Sequence, residues 1–334
     1  MSKKVLIITN SFDLHADQLT PILAAKGHHA FRLNLDAFPR DYQLSQVFER
    51  GRISNKIRML PDGAWLDLAE VAAVWTRKAG EFAYLSEDLS LHERTFAKQE
   101  TEQALFGLLF SLDCYWINHP LASRGAMWKG EQLMRATQMG FRVPRSIVSN
   151  CPDQVRQFKD ALSGDMIFKS MSSPYLGGET LAPEHRITGG VGTTIVDAHM
   201  MDSLDAVRQL ACHFQEYIVK QYELRVTVIG ERVFAAKIHS QDDARTAVDS
   251  RNMSADIAYE ATQLPPALAK RCIDFVRSYD LNFGALDLII TPDGEAVFLE
   301  NNPSGQFLYV EQLIPEFKML DALADKLIAE LQCR

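Results

Sequence analysis

Three oxygen-bearing side chains, Asp287, Glu300 and Asn302, lie in two largely apolar segments that flank a Thr-Pro-Asp-Gly sequence. Asp-Gly between apolar runs is typical of a two-residue hairpin turn. With Asp293 and Gly294 at the centre of the turn, Asp287 lies opposite Glu300, and Asn302 follows on the same face. Directly opposed like charges destabilise a sheet, whereas Mg²⁺ prefers such oxygen ligands. The spacing therefore predicts either a divalent metal site or the solvated polar face of an edge hairpin.

The strand predicted over residues 222–229 carries a second set of polar side chains. Polar and apolar residues alternate along it, which is typical of a half-buried strand. Glu223, Arg225 and Thr227 share its polar face. An ion pair between Glu223 and Arg225 along the strand would by itself contribute little to stability. We therefore favour a functional role for this charged face.

Two lysines occupy positions that suggest an anionic partner. Lys129 lies in the first turn of a helix predicted over 127–139, where a cation opposes the helix dipole. Lys169 is near the end of a strand predicted over 166–170, and a long segment without regular pattern follows it. That segment contains four glycines, Gly177, Gly178, Gly189 and Gly190. Because loops of this length in compact domains are usually functional, we interpret it as a flap over phosphate groups, with a mobile surface loop as the alternative.

Arg77 follows a strand predicted over residues 71–75. Open α/β sheets bind ligands at the carboxyl ends of their strands, so Arg77 is a candidate for binding an acidic group of a substrate. A surface arginine without such a role is the alternative. The chain has neither a GxGxxG fingerprint after its first strand nor the GKS or GKT of a P-loop, so these two nucleotide-binding motifs are absent.

Apolar periodicity predicts an open α/β unit followed by α+β segments. The chain begins with a strand over 4–9, a helix over 14–26 and a strand over 30–35, which form a βαβ unit. The other predicted elements are hairpins at 53–68 and 222–238, strands at 71–75, 114–117, 143–148, 195–196 and 214–218, and helices at 90–112, 153–162, 204–212, 266–279, 306–313 and 317–331. The length allows two or three domains, and the Asn118-His119-Pro120 turn is a candidate boundary.

The composition is that of an ordinary globular protein. The 334 residues are 47% hydrophobic and 23% charged, with a formal net charge of −8. This acidic balance argues against non-specific nucleic-acid binding, and no apolar run approaches the length of a membrane span. The first apolar run is too short for a signal peptide, and the five cysteines lack metal-binding spacing. We expect a cytoplasmic protein with buried thiols, without zinc and without nucleic-acid or membrane partners.

The order of these residues resembles the ATP-grasp superfamily of carboxylate ligases. Within it, the chain is most similar to the microviridin- and marinostatin-type graspetide ligases, which macrocyclise ribosomal peptides. The segments that carry this resemblance are YELRVTVIG at 222–230, LNFGALDLI at 281–289 and FLENNPSGQFLYVEQ at 298–312. It covers essentially the whole chain. It implies an ATP-grasp fold of the α/β and α+β class. We therefore expect an N-terminal pre-ATP-grasp α/β domain at residues 1–118, a small central α+β domain at 119–212 and a C-terminal α+β domain at 213–334, with ATP between the last two.

The resemblance also implies how the nucleotide is bound. Lys129 and Lys169 would bind the ATP phosphates, and Glu223 would accept hydrogen bonds from the ribose. The hinge strand, whose main chain faces adenine, would consist of Gln215, Glu216, Tyr217 and Ile218.

For the chemistry, the resemblance implies two Mg²⁺ ions. Their ligands would be Asp287, Glu300 and Asn302. Arg225 and Arg251 would stabilise charge on the transferred phosphoryl group, since phosphoryl transfer depends mainly on such electrostatic stabilisation. Arg77 would bind the substrate carboxylate.

The implied reaction activates an Asp or Glu side chain of a ribosomal precursor peptide as an acyl phosphate, which a Ser or Thr hydroxyl or a Lys amine of the same peptide then attacks. The peptide would carry a leader segment, and the enzyme would be a homodimer. Alternatives are a RimK-like ligase that adds an amino acid to a protein or small peptide, and a non-catalytic ATP-binding module. The chain departs from the family at Trp75-Thr76-Arg77-Lys78-Ala79, where Trp-Tyr-Arg-Arg-Pro is usual, and at Trp128-Lys129-Gly130, where Asn-Lys-Leu is usual.

Overall fold

The computed structural model describes residues 3–78, 80–172, 192–250 and 255–332. Arg251 and the glycines of the predicted flap, Gly177, Gly178, Gly189 and Gly190, lie outside these ranges. The described chain forms four β-sheets with helices packed against them. Within the described ranges, no helix is both long and apolar enough to cross a lipid bilayer.

The first segment contains a parallel sheet and a small antiparallel one. Its elements are β1 (Lys4–Thr9), α1 (Leu14–Ala25), β2 (Ala30–Asn34), β3 (Tyr42–Glu49), β4 (Arg52–Met59), β5 (Trp65–Asp67), β6 (Val71–Thr76), α2 (Leu91–Phe110) and β7 (Tyr115–Ile117). The parallel sheet has the order β2-β1-β6-β7, and the antiparallel sheet has the order β3-β4-β5. The sequence did not predict β3, because most of this strand is exposed on both faces and lacks an apolar alternation.

The second segment is built around a four-stranded antiparallel sheet. Its elements are α3 (Pro120–Gly125), α4 (Lys129–Gln138), β8 (Ser146–Ser149), α5 (Pro152–Asp160), β9 (Met166–Lys169), β10 (Thr194–Ile195), α6 (Ala198–Asp202) and β11 (Cys212–Glu216). The strand order is β10-β9-β11-β8. The helix predicted over 204–212 is wrong: a 3₁₀ helix covers Leu204–Gln209, and the extended backbone of Leu210 leads directly into β11. The predicted hinge strand is also too long, because β11 ends at Glu216.

The last segment forms a five-stranded antiparallel sheet. Its elements are β12 (Tyr222–Ile229), β13 (Arg232–Ile238), β14 (Tyr259–Thr262), α7 (Pro266–Arg277), β15 (Phe283–Ile290), β16 (Ala296–Asn302), α8 (Leu308–Leu313) and α9 (Met319–Gln332). The strand order is β14-β13-β12-β15-β16. The hairpin β12–β13 has the predicted boundaries, and Leu224, Val226 and Val228 face the core as expected.

Helices tie the three segments together. The C-terminal helix α9 packs on α1 and β6, and its buried leucines share one core cluster with Phe234 and Phe283 of the last sheet. In the same way, α4 packs on β16. The chain passes from the four-stranded antiparallel sheet to the five-stranded one between Glu216, where β11 ends, and Tyr222, where β12 begins. The domain limits at residues 118 and 212 stay a prediction.

Candidate active site

The hairpin β15–β16 places two carboxylates opposite each other. Asp287 pairs with Glu300 in the ladder, as the sequence predicted. The predicted two-residue turn is wrong, because residues 291–295 form a longer connection with an odd number of residues. A β-bulge at the Asp287–Leu288 step then shifts the register by one residue. The bulge compensates for the odd loop length and returns Glu300 to the face of Asp287.

Arg225 pairs with Asp287 from the neighbouring strand. The two residues are directly opposed in the β12–β15 ladder. Nη1 of Arg225 donates to both carboxylate oxygens, at 2.8 and 3.1 Å, and Nη2 donates to the Gln306 carbonyl at 3.0 Å. Burial raises the pKa of Asp287, Arg225 opposes that shift, and the charge of Glu300 adds to it. Additional positive charge at this carboxylate would therefore be favourable.

Lys129 pairs with the second carboxylate of the hairpin. Its Nζ lies 2.6 Å from Oε2 of Glu300. Lys129 is the first residue of α4, and the packing of α4 on β16 brings it to the hairpin. Asn302 lies two residues beyond Glu300 on the same face, and its Oδ1 accepts a hydrogen bond from the Ser304 N–H at 3.0 Å. Both predicted carboxylate ligands thus have a cationic partner in this structure.

Lys169 has a buried histidine as its cross-strand neighbour. Lys169 ends β9 directly opposite His213 of β11. His213 is 3% exposed, and neither ring nitrogen has a hydrogen-bond partner among the described residues. Burial, followed by the charges of Lys169 and Lys129, lowers the pKa of His213 to about 4, so the ring is neutral at pH 7. Nothing in the sequence pattern had identified His213.

The end of β11 matches the predicted hinge only in part. Gln215 donates from Nε2 to the Ser146 hydroxyl at 3.0 Å. The main-chain N–H groups of Glu216 and Tyr217 donate to the carbonyls of Arg145 and Asp165, so neither group is available to a base. Ile218 is buried, in a small apolar cluster with Ile289 and Val297.

Glu223 is held by two neighbours on the charged face of β12. Lys220 and Glu223 form an ion pair, and both residues are buried. The Ser250 hydroxyl donates to the other oxygen of Glu223 at 2.8 Å. Lys220 lies only three positions before Glu223, but no sequence pattern pointed to it. The pair fixes the Glu223 carboxylate in one orientation.

One cavity unites most of the predicted residues. It has a volume of about 460 Å³, and all the described candidates except Lys129 and Arg77 line it. We call it the central cavity. Its apolar side is formed by Ile167, Ile218, Ile289 and Leu299, and its charged side includes Lys169, Arg225, Asp287 and Glu300. Lys129 lines a second cavity, which shares Lys169, Glu300 and Asn302 with the first.

Arg77, the candidate for binding the substrate carboxylate, is buried in this structure. Its side chain is only 3% exposed, and it lines neither of these cavities. Nε is 3.3 Å from Asp13 Oδ2, and Nη1 donates to the Ser304 carbonyl at 3.3 Å. The next residue, Lys78, lines the central cavity instead. The Arg77 guanidinium is enclosed between two segments of the protein, and its contact with the substrate carboxylate stays a prediction.

The donor set fits a hard divalent cation that is only partly ligated by protein. In the described part of the chain, no three His, Cys, Asp or Glu side chains converge on one point. Two opposed carboxylates and one carboxamide nevertheless supply oxygen donors on a single face, and burial raises the pKa of Asp287. Mg²⁺ commonly binds one or two carboxylates and completes its shell with water and phosphate.

Comparison with known proteins finds similar ATP-grasp ligases. Residues 4–124 match the MvdD pre-ATP grasp domain family. No curated protein sequence gives a significant match. A RiPP-associated ATP-grasp ligase of Chryseobacterium gregarium, solved with ADP and a leader and core peptide, is 28% identical, with 98% of this chain and 97% of that chain covered and a TM-score of 0.89. The macrocyclases MdnC and MdnB of Microcystis aeruginosa MRC are each 28% identical over 98% of this chain and 99% of theirs, with TM-scores of 0.84 and 0.77; MdnC was solved with the precursor peptide MdnA.

The fold and the site together define an ATP-grasp ligase, an ATP-dependent enzyme. Within that class, the N-terminal part of the chain matches the MvdD pre-ATP grasp domain, and the whole chain is similar to ligases that act on ribosomal peptides.

Proposed function

We propose that this enzyme is a peptide macrocyclase. It uses ATP to join an Asp or Glu side chain of a ribosomal precursor peptide to a Ser or Thr hydroxyl or a Lys amine of the same peptide. The observation that carries the proposal is the central cavity, in which one apolar side and one charged side meet at the opposed carboxylates of Asp287 and Glu300. The precursor, leader and core peptides seen with the similar ligases support the substrate class.

The two sides of the cavity suit the two ends of ATP. Ile218, Ile289 and Leu299 offer apolar surface to the adenine ring. Glu223, oriented by Lys220, accepts from the ribose hydroxyls. Lys169 and Lys129 bind the phosphates at the far end, where their charges come together around Glu300.

The residues of the hairpin hold the metal. Asp287, Glu300 and Asn302 would hold two Mg²⁺ ions, which would supply positive charge to neutralise the ATP phosphates. Arg225 opposes the rise in the pKa of Asp287 and holds its carboxylate in place. The role expected for Arg251 is part of the same proposal, although this residue lies outside the described ranges.

The proposed reaction has two steps, activation of the carboxylate and displacement of phosphate. A carboxylate oxygen of the peptide attacks the γ-phosphorus of ATP, the bond to the bridging oxygen breaks, and ADP leaves with the electron pair. The nucleophile of the same peptide then attacks the acyl carbon and loses its proton, and inorganic phosphate leaves. An ester or an amide results, and one water is lost overall for each link.

The same proposal also covers the peptide's leader segment and the domains, oligomeric state and location of the enzyme. It comprises a leader segment on the peptide, three domains with ATP between the last two, a homodimer and a cytoplasmic location. The last point is supported by the thiols of Cys151, Cys212 and Cys272 in the described chain, which form no disulfide.

Intact-mass spectrometry tests the proposal directly. The peptide encoded beside the gene, rich in Asp, Glu, Ser and Thr, is incubated with the enzyme, ATP and Mg²⁺. We expect the loss of one water per link, dependent on ATP and abolished by Asp287→Asn. An unchanged peptide, with ADP formed only when free amino acids are added, would instead establish the RimK-like reaction. If no ADP formed with either substrate class, the result would instead support a non-catalytic ATP-binding module.

A further inference from the structure

The central cavity contains four cations among its described lining residues, and three of them are already engaged. They are Lys78, Lys169, Lys220 and Arg225. Arg225 is paired with Asp287 and Lys220 with Glu223. Lys169 lies on β9 beside His213, at the end of the cavity that it shares with Lys129, and it has contacts of its own. The ammonium of Lys78 makes no hydrogen bond or ion pair with any described residue.

Lys78 also approaches the cavity from a different part of the fold. Every other described lining residue lies at position 144 or later, whereas Lys78 follows β6 of the first sheet. Ser304, Gln306 and Tyr309, from the segment that follows β16, also line this cavity. A peptide that enters between the first sheet and the carboxylate hairpin would meet this residue.

The neighbouring Arg77 connects the end of β6 to the segment that follows β16. Asp13 contacts Arg77 Nε, accepts from the Thr9 hydroxyl at 2.6 Å, and lies 3.4 Å from Nδ1 of His15. Nε2 of His15 accepts the main-chain N–H groups that open α8, those of Phe307 at 3.3 Å and Leu308 at 3.2 Å. The end of β6 is therefore fastened to the segment that follows Asn302.

The main chain fixes Lys78 as well. The Arg77 N–H donates to the Ile8 carbonyl at 2.8 Å, which continues the β1–β6 ladder by one residue. The carbonyl of Lys78 accepts from Asn10 Nδ2 at 3.0 Å. Successive side chains of an extended segment point to opposite sides, so the burial of Arg77 directs Lys78 to the cavity.

We propose that Lys78 binds the peptide carboxylate that attacks ATP. This inference rests on the proposed function and names the residue that selects the acidic side chain. An incoming carboxylate meets Asp287, Glu300 and a triphosphate, all of them negative, so it needs a positive group on the side away from the nucleotide. Lys78 neutralises it without transferring a proton, and Arg77 acts only as a positioning residue.

A binding cycle between enzyme and peptide tests this contact. The wild type and Lys78→Ala are titrated, in the presence of ADP and Mg²⁺, with the precursor peptide encoded beside the gene. The same titrations use the peptide with its reactive Asp and Glu residues changed to Asn and Gln. We expect each change alone to weaken binding by about tenfold, and the second change to cost almost nothing once the first is made, because a charge-assisted contact is lost only once. The Kd for ADP stays within about twofold.

Two further variants complete the test. Lys78→Arg keeps a cation at this position and recovers most of the affinity. Lys98→Ala removes an exposed positive charge from α2, outside the cavity, and leaves peptide binding unchanged. Additive losses in the cycle would refute the role of Lys78 while leaving the macrocyclase intact. A wild type that neither binds nor links the peptide would refute the proposed function itself.

Discussion

Arg225 on β12 and Asp287 on β15 face each other across one ladder, and the guanidinium donates to both carboxylate oxygens at 2.8 and 3.1 Å. The arginine side chain is 10% exposed, and it also reaches the main chain at Gln306. Asp287 therefore serves the fold as well as the proposed metal site, and we expect its loss to affect both.

We expect Asp287→Ala and Glu300→Ala to abolish ADP formation equally but to differ in stability. Removing Asp287 leaves the buried charge of Arg225 without its partner, which costs about 2 to 3 kcal/mol of unfolding free energy. Removing Glu300 frees Lys129, whose side chain is 21% exposed, and costs less than about 1 kcal/mol. Urea denaturation measures the difference. Equal destabilisation by the two variants would contradict the structural role of the Arg225 pair, and near-full activity in either would contradict the metal site.

Gly305 lies against Arg225 and the carboxylate hairpin. A Cβ at this position would lie 2.6 Å from the Cβ of Ala285 and 2.9 Å from Nη2 of Arg225. We expect Gly305→Ala to displace the guanidinium, destabilise the fold by about 1 to 3 kcal/mol and reduce turnover strongly. Gly107→Ala is the matched control, because a Cβ there meets nothing within 4 Å on helix α2 and should add about 0.5 to 1 kcal/mol of stability. A Gly305→Ala enzyme with normal turnover would rule out this close packing.

Glu223 should recognise the ribose. We expect the wild type to bind ATP at least about tenfold more tightly than 2′,3′-dideoxy-ATP, because a hydrogen bond to a charged acceptor is lost in the analogue. Glu223→Gln should lose most of this preference, and isothermal titration calorimetry measures it. Glu260→Gln, an exposed change on β14 outside the central cavity, should retain it. If Glu223→Gln kept the full preference, the ribose would bind elsewhere.

His213 should make stability depend on pH. Its pKa is lowered from the ordinary 6.5 to about 4 by burial and by Lys169 and Lys129, so between these pH values the unfolded chain binds a proton that the folded chain does not. The unfolding free energy therefore falls as the pH decreases from 6.5 to 4, by about 3 kcal/mol in total, and this contribution is constant at higher pH. His213→Leu should remove that part of the slope.

The control for this prediction is His92→Gln, which changes an exposed residue of α2 and should leave the slope unaltered. Denaturation of the three proteins across the pH range provides the comparison. An identical slope in wild type and His213→Leu would show that His213 is already protonated or solvated in the folded protein.

Local periodicity determined a large part of this architecture. The period-two alternation of β12 assigns Glu223 and Arg225 to one face, and the apolar runs around Asp293-Gly294 identify the hairpin that carries Asp287 and Glu300. These features depend on neighbours within a few residues, so the sequence specifies them directly. The length of the turn was predicted wrongly because the five-residue connection and the bulge together shift the register by an even number of residues. Asp287 therefore pairs with Glu300 just as it would with a two-residue turn and no bulge.

Only the tertiary structure decided which side chains meet in the site. Lys129 reaches Glu300 because α4 packs on β16. Asn118, at the end of the first segment, donates to the carbonyls of Phe283 and Pro303 in the last segment, both at 2.8 Å. Arg77 and Lys78 are consecutive cations, and burial against Asp13 and Ser304 alone assigns the first to the interior and the second to the cavity. Such contacts join residues far apart in the sequence, and their energies depend on burial and distance that no local pattern contains.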